Sequence, residues 1–170
     1  FDGLREQVEW QAAEVAALLA PLGGRDVAVL PPATWPRLAT IGREAFASPA
    51  ALMTFSVLPT LVADAMEHGA QVARQRGLSS AWAAHAGVGA VTGTLLADGE
   101  VGAVAAVLTE WRAMAVAGGG HATLTWAPLA VKSQVPVWGE AGPAGRIMQR
   151  IKAQLDPGNV LNPGRFVGGL

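Results

Sequence analysis

Residues 51–128, ALMTFSVLPTLVADAMEHGAQVARQRGLSSAWAAHAGVGAVTGTLLADGEVGAVAAVLTEWRAMAVAGGGHATLTWAP, decide the fold of this chain. Short apolar and β-branched runs between turn residues predict strands, and longer runs that end at glycines predict helices. The predicted strands are Met53 to Leu58, Ser80 to His85, Ala90 to Ala97 and Ala122 to Trp126, and the predicted helices are Thr60 to Gly77 and Glu100 to Ala117. This βαββαβ order predicts an α+β, ferredoxin-like fold: an antiparallel sheet in order 4-1-3-2 with both helices on one face.

Further elements flank this stretch on the amino-terminal side. Apolar residues at helical spacing, beginning with Leu4 and Val8, predict a helix over residues 3–20. A short strand is predicted from Arg25 to Leu30, and a helix capped by Thr34 is predicted to reach Phe46.

The carboxyl end is predicted to be an amphipathic helix followed by a twice-turned tail. Ile147, Ile151 and Leu155 recur every four residues and form one apolar stripe. Pro157 ends the helix, and Asp156 is expected to bond the backbone two residues on. Val160 and Leu161 are expected to be apolar anchors, and the second turn, Asn162-Pro163-Gly164, presents Arg165.

Composition limits the classes of function. The 170 residues are 51% hydrophobic, enough for one domain with its own core, and the net charge of −1 gives no general attraction to nucleic acid. The absence of cysteine excludes disulfides, thiol nucleophiles and cysteine-bound zinc or iron–sulfur centres. No apolar stretch free of charges is long enough for a membrane span. The amino end lacks an initiator methionine and a signal peptide, so we expect an excised piece of a longer protein.

The tail carries a family resemblance. The string Ile-Lys-x-x-Leu-Asp-Pro-x-x-Val-Leu-Asn-Pro-Gly-Arg, residues 151–165, resembles the closing signature of FAD-linked oxidases of the vanillyl-alcohol oxidase type. The ending Arg-Phe-Val-Gly-Gly-Leu and the upstream Pro-Val-Trp-Gly, residues 136–139, look most like the FAD-binding E subunit of bacterial glycolate oxidase. Gly-Gly-His-Ala-Thr-Leu at residues 119–124 agrees with this resemblance.

The resemblance implies an architecture and a cofactor. In that family an amino-terminal domain holds FAD, a ferredoxin-like cap (substrate) domain follows, and the tail returns to the flavin domain. Residues 1–170 would then be a single cap domain with its tail, and the FAD-binding domain would lie outside this chain. We therefore expect FAD in the full-length protein and none bound to this chain. Asn162, Pro163, Gly164 and Arg165 would lie near the flavin, with Arg165 available to a flavin phosphate or a substrate carboxylate.

The resemblance also implies a reaction and partners. The full-length protein would oxidise glycolate, a small 2-hydroxyacid, to glyoxylate together with the catalytic D subunit and the iron–sulfur subunit of a glycolate oxidase complex. It would be cytoplasmic, held by the complex at the inner face of the plasma membrane. Two alternatives stay open: a non-catalytic module that docks subunits, and a free-standing ferredoxin-like domain that binds a small ligand.

His85 is the one candidate for a catalytic residue. The segment from His85 to Thr92 is similar to the metal-binding His-x-Gly-Asp-Gly-Asn-x-His segment of related dehydrogenases, but Val88, Ala90 and Thr92 replace three of its residues. Because a catalytic metal normally needs three protein ligands, no metal site is predicted. His68 and His121 stand alone in the sequence and are interpreted as structural or solvated.

Overall fold

The computed structural model describes residues 3–25, 28, 30–36, 49–96 and 99–170. The chain divides into two compact units, Phe1–Ala39 and Thr40–Leu170. The assignment of residues 1–170 to one cap domain, with the flavin domain outside the chain, stays a prediction.

The first unit contains helix α1, Arg5–Leu19, which confirms the helix predicted over residues 3–20. A 3-10 turn, Ala20–Leu22, follows it and ends at Gly23. A second 3-10 turn, Pro32–Thr34, leads directly into helical residues at Trp35 and Pro36, so a helix begins after Thr34 as predicted. The rest of that predicted helix lies outside the described residues. Of the strand predicted from Arg25 to Leu30, residues 25, 28 and 30 are described and are not in a strand, and residues 26, 27 and 29 lie outside the described part of the chain.

The second unit is built on a four-stranded antiparallel sheet in the order β2-β3-β1-β4. Its strands are β1 (Pro49–Ser56), β2 (Ser80–His85), β3 (Ala90–Leu96) and β4 (His121–Trp126). Helix α2, Val62–Gln75, connects β1 to β2, and helix α3, Val101–Ala117, connects β3 to β4. The predicted α+β class and strand order are confirmed.

Strand β1 differs in extent from the predicted Met53 to Leu58. It begins at Pro49 and pairs there with β3, through an irregularity in register between Pro49 and Ala51. It ends at Ser56, because a 3-10 turn begins at Pro59, whose ring leaves no backbone N–H for the sheet.

One face of the sheet carries the core. Residues that alternate along the strands, including Met53, Phe55, Val91, Leu95 and Leu124, are buried there beneath α2 and α3. At the centre lie the rings of Phe55, Trp82 and Trp111; the Trp82 and Trp111 ring centroids are 4.6 Å apart. The fully buried Trp111 donates its indole N–H to the Gly69 carbonyl at 2.9 Å, so its polar atom is satisfied.

Glycines make room for these rings. A Cβ on Gly69 of α2 would lie 2.3 Å from the Trp82 ring, and one on Gly93 of β3 would lie 2.9 Å from both tryptophans. Gly89 has φ +70°, and a Cβ there would lie 1.8 Å from the Val57 carbonyl oxygen. At all three glycines the neighbouring atoms therefore lie at distances that only glycine permits.

The other face of the sheet carries hydroxyl groups. Thr92, Thr54 and Thr123 are neighbours in register across β3, β1 and β4, and each is half-buried. The hydroxyl oxygens of Thr54 and Thr125 are 2.7 Å apart. We call this surface the open face.

The chain beyond the sheet lies along its β4 edge and then forms the tail helix. Helix α4, Leu129–Lys132, is followed by a segment in which the Val137 carbonyl accepts the Leu124 N–H at 2.8 Å. Helix α5, Gly145–Leu155, is the predicted amphipathic helix. Among the described residues, no helix has the length and apolarity needed to cross a bilayer.

Candidate functional site

The turn after α5 is organised by one carboxylate. The side chain of Asp156 accepts the backbone N–H groups of Val160 and Leu161, both at 2.9 Å. It also accepts the Lys152 ammonium at 2.5 Å, and Lys152 donates in turn to the Leu161 carbonyl at 2.6 Å. The predicted bond from Asp156 was therefore right in kind but wrong in reach: it spans four and five residues, because the turn is wider than a simple Asx-turn.

These bonds stabilise the charged form of Asp156. The hydrogen bond from Lys152 and those from the Val160 and Leu161 N–H groups lower the pKa of Asp156 from 3.8 to about 2. The carboxylate is only 8% exposed although it lies in a surface turn. The shape of the tail therefore depends on ionised Asp156 at any pH near neutral.

The apolar side chains of the tail are exposed. In the stripe on α5, Ile147 is 62% and Leu155 is 75% exposed, so this helix does not bury its apolar face in the described part of the chain. Val160 and Leu161 are 77% and 67% exposed, and the expectation that they anchor the tail by packing is wrong. Their backbone N–H groups hold the tail instead, by bonding Asp156.

Two cavities flank the second turn. The first, of about 550 Å³, lies between α5 and the tail, and it is lined mainly by apolar side chains. Its lining includes Met148, Ile151 and Leu161, with Asn162 and Arg165 at the polar side. We call it the apolar groove.

The second cavity, of about 510 Å³, lies between the segment that follows α4 and the end of the tail. Its lining includes Lys132, Trp138 and Arg165 together with the glycines of both segments. The Trp138 indole donates to the Arg165 carbonyl at 3.0 Å, and its ring packs edge-on against Phe166 at 5.2 Å between centroids. We call this space the basic cavity.

An arginine of the core region lies behind the basic cavity. Arg112 of α3 donates to the Val137 carbonyl at 3.2 Å and to the Ala122 carbonyl at 3.4 Å. A Cβ on Gly139 would lie 3.3 Å from the Arg112 Nε, so the guanidinium packs directly under the cavity wall. Burial lowers the pKa of Arg112, but a guanidinium stays protonated at neutral pH.

The structure brings together only some of the residues expected at the site. Arg165 lines both cavities, Asn162 lines the apolar groove, and Gly164 lines the basic cavity. Pro163 lines neither, and Asn162 takes φ +47°, which asparagine tolerates better than most residues. The second turn therefore places Asn162 at the wall of the apolar groove and Arg165 at the walls of both cavities.

The histidine candidate lies elsewhere. His85 is exposed at the end of edge strand β2, and it lines neither cavity. His121 occupies the same row of the sheet on the opposite edge strand, through Ala90 and Ser56. Three strand spacings separate them, about 14 Å, so the two histidines cannot share a metal ion. Among the described residues, no group of three histidine or acidic side chains is placed to hold a metal.

Sequence reasoning missed Lys132, Arg112 and the pairing of Trp138 with Phe166. Arg112 is half-buried against β4, where it donates to the Ala122 carbonyl. Only Trp138 gave a signal, because Pro-Val-Trp-Gly was already part of the resemblance. The other contacts join segments far apart in sequence, such as Arg112 and Val137, and local patterns do not encode them.

The family model described as "FAD linked oxidases, C-terminal domain" matches residues 1–166. No curated protein matches the chain.

Proposed function

The chain belongs to the family of FAD-linked oxidase C-terminal domains, and we propose that it is the cap domain of a flavin-dependent oxidoreductase acting on a small 2-hydroxyacid. The finer proposal is that the substrate is glycolate. Glycolate would lose a hydride from its hydroxyl-bearing carbon and a proton from its hydroxyl, giving glyoxylate. FAD supplies the hydride acceptor, and an acceptor such as a quinone takes the electrons in turn.

The observation that carries this proposal is the uncovered tail. Helix α5 exposes its apolar stripe, while the Asp156 network fixes the turn that presents Arg165. Contiguous exposed apolar surface of this kind usually marks an interaction site. A flavin-binding domain that covers the stripe would place Asn162, Pro163, Gly164 and Arg165 beside the cofactor.

Within the described residues, no loop has the form that usually binds the flavin's diphosphate. That group is usually held by a glycine-rich loop that leads from a strand into a helix. Here β1 leads into α2 through Pro59, and the carboxylate of Glu100 precedes α3, where it would repel a phosphate. We therefore propose that FAD belongs to the full-length protein, and that this chain contributes Arg165 and the apolar groove to its surroundings.

The open face is proposed to meet the substrate. Its half-buried threonines offer hydroxyl groups that can donate to a carboxylate and accept from a hydroxyl. The face lies opposite α2 and α3, and at its end near Leu52 and Thr94 it is buried, so the half-buried threonines Thr54, Thr92 and Thr123 are the part of it proposed to meet the substrate.

A second candidate function, subunit docking, is favoured by the same exposed stripe. In a glycolate oxidase complex, the catalytic D subunit or the iron–sulfur subunit would cover the stripe formed by Ile147, Ile151 and Leu155. In that case the chain would hold the complex together, at the inner face of the plasma membrane, without acting on the substrate.

One experiment separates the two functions. Arg165→Gln is introduced into the full-length protein in its complex, with Arg150→Gln on α5 as the control that removes the same charge outside both cavities. Glycolate turnover, flavin content and co-purification of the subunits are measured. Reduced turnover with intact assembly supports the cap function, and lost assembly supports docking. A full-length protein without bound FAD, or an Arg165 variant equal to its control in all three measurements, would contradict the proposed role.

A further inference from the structure

The basic cavity concentrates positive charge that is not neutralised. Lys132 and Arg165 line it, and the Arg112 guanidinium lies against its wall at Gly139. In the described part of the chain, the ion pairs are Arg5–Glu9, Arg76–Glu110 and Lys152–Asp156, and none of them involves these three cations. Two cations therefore line the cavity and a third lies behind its wall, and none of the three is paired with a carboxylate in the described part of the chain.

The state of Arg112 is the most informative of the three. A half-buried guanidinium loses part of its hydration, and a counter-ion normally offsets that cost. Within the described residues, the guanidinium of Arg112 donates to two backbone carbonyls and to no carboxylate. The nearby Glu140 is exposed and forms no ion pair with it among the described residues. The region is consequently suited to an anion that arrives from outside.

We propose that the basic cavity is a binding site for a phosphate group, held by the side chains of Lys132 and Arg165 in the field of Arg112. A phosphate monoester carries about −1.5 to −2 charges at neutral pH, which suits three cations better than a single carboxylate does. A guanidinium can donate two parallel hydrogen bonds to phosphate oxygens, and an ammonium adds a compact charge.

The walls admit a group larger than the phosphate itself. The cavity measures about 510 Å³, and the Trp138 ring at its side is 41% exposed. Free inorganic phosphate or pyrophosphate, and the phosphate of a nucleotide, share the required chemistry. This site needs no flavin, so it can exist whether or not the proposed oxidoreductase function is correct.

The test is a titration of the chain with pyrophosphate at constant ionic strength. The indole N–H signal of Trp138, identified by its loss in Trp138→Phe, is followed by ¹⁵N NMR, because this N–H bonds the Arg165 carbonyl inside the cavity wall. We expect a saturable shift. Lys132→Gln and Arg165→Gln should each weaken the affinity about tenfold, the loss of one charge-assisted bond. Arg150→Gln, an equal charge change on an exposed face of α5, should leave the affinity within about twofold.

The same titration distinguishes the sources of the phosphate. AMP binding more tightly than pyrophosphate, with adenosine not binding, indicates a nucleotide; the reverse order indicates a free inorganic anion. A shift that does not saturate, or an equal weakening by Arg150→Gln, would overturn the site, because it would show only general attraction to positive charge. Because pyrophosphate is added to the chain alone, this result is independent of glycolate turnover and flavin content.

Discussion

Gly69 of α2 is the position where two known effects on stability oppose each other. Replacing an interior helix glycine with alanine ordinarily stabilises a protein by about 1 kcal/mol, because alanine has the higher helix propensity. In this chain the new Cβ would lie 2.3 Å from the Trp82 ring. Overpacking of a core costs about 1–3 kcal/mol.

The surroundings of Trp82 decide which effect is larger. Its ring stacks on Phe55 at 5.6 Å and lies 4.6 Å from Trp111, and its indole donates to the Ser80 hydroxyl at 3.0 Å. The ring cannot move away without losing these contacts, so we take the upper part of the overpacking range. We expect Gly69→Ala to lower the free energy of unfolding by about 1–2 kcal/mol, or the melting temperature by about 3–8 °C.

The assay is urea unfolding followed by near-ultraviolet circular dichroism, which reports on the packed tryptophans. Gly102→Ala in α3 is the matched control, since nothing lies within 4 Å of its added Cβ, and it should be neutral or stabilising. In a Trp82→Leu background the penalty of Gly69→Ala should largely disappear. If Gly69→Ala is as stable as the parent, or if its penalty persists without Trp82, the steric reasoning is wrong.

Three further predictions concern the tail, the β2–β3 turn and the cofactor. Protonation of Asp156 should release the tail as the pH falls from about 4 towards 2, because the pKa of this carboxyl is lower in the folded than in the unfolded chain, so its stabilisation is complete above the unfolded pKa and lost near the folded one. Limited proteolysis by an acid-active protease checks release of the parent tail at low pH, and a protease active at neutral pH should already cleave the tail of Asp156→Asn at pH 7. Gly89→Ala should destabilise the fold by about 2–4 kcal/mol, since it combines φ +70° with a 1.8 Å approach to the Val57 carbonyl, and Gly87→Ala, with open space around it, should not; melting temperatures compare the two. The purified chain should be colourless, and flavin absorbance that persists through gel filtration would refute this.

The sequence predicts the sheet well and the site only partly. The strands and helices of residues 49–126 follow from local periodicity and from glycines at element ends, so their order was readable. The site depends on contacts across long separations in sequence, such as Trp138 with Arg165. The positive charge of the basic cavity could not be predicted either. One lysine and two arginines that are far apart in sequence come together at this cavity only in the folded chain.

The exposure of Val160 and Leu161 was unexpected for the same reason. Apolar residues between two turns are typical of anchors, and the sequence offers no sign that a neighbouring carboxylate will hold their backbone instead. A hydrogen-bonded aspartate and a buried leucine can each fix a turn, and only the geometry distinguishes them.

The Asp156 network also affects how fast and how tightly the tail can associate with another surface. A loose tail would lose backbone freedom on binding, a cost of about 1–2 kcal/mol for each residue that becomes ordered. Here the bonds from Val160, Leu161 and Lys152 to one carboxylate order the turn during folding, while the apolar side chains stay outside. The tail therefore resembles a preorganised ligand: its backbone loses conformational entropy during folding and not when it binds another surface.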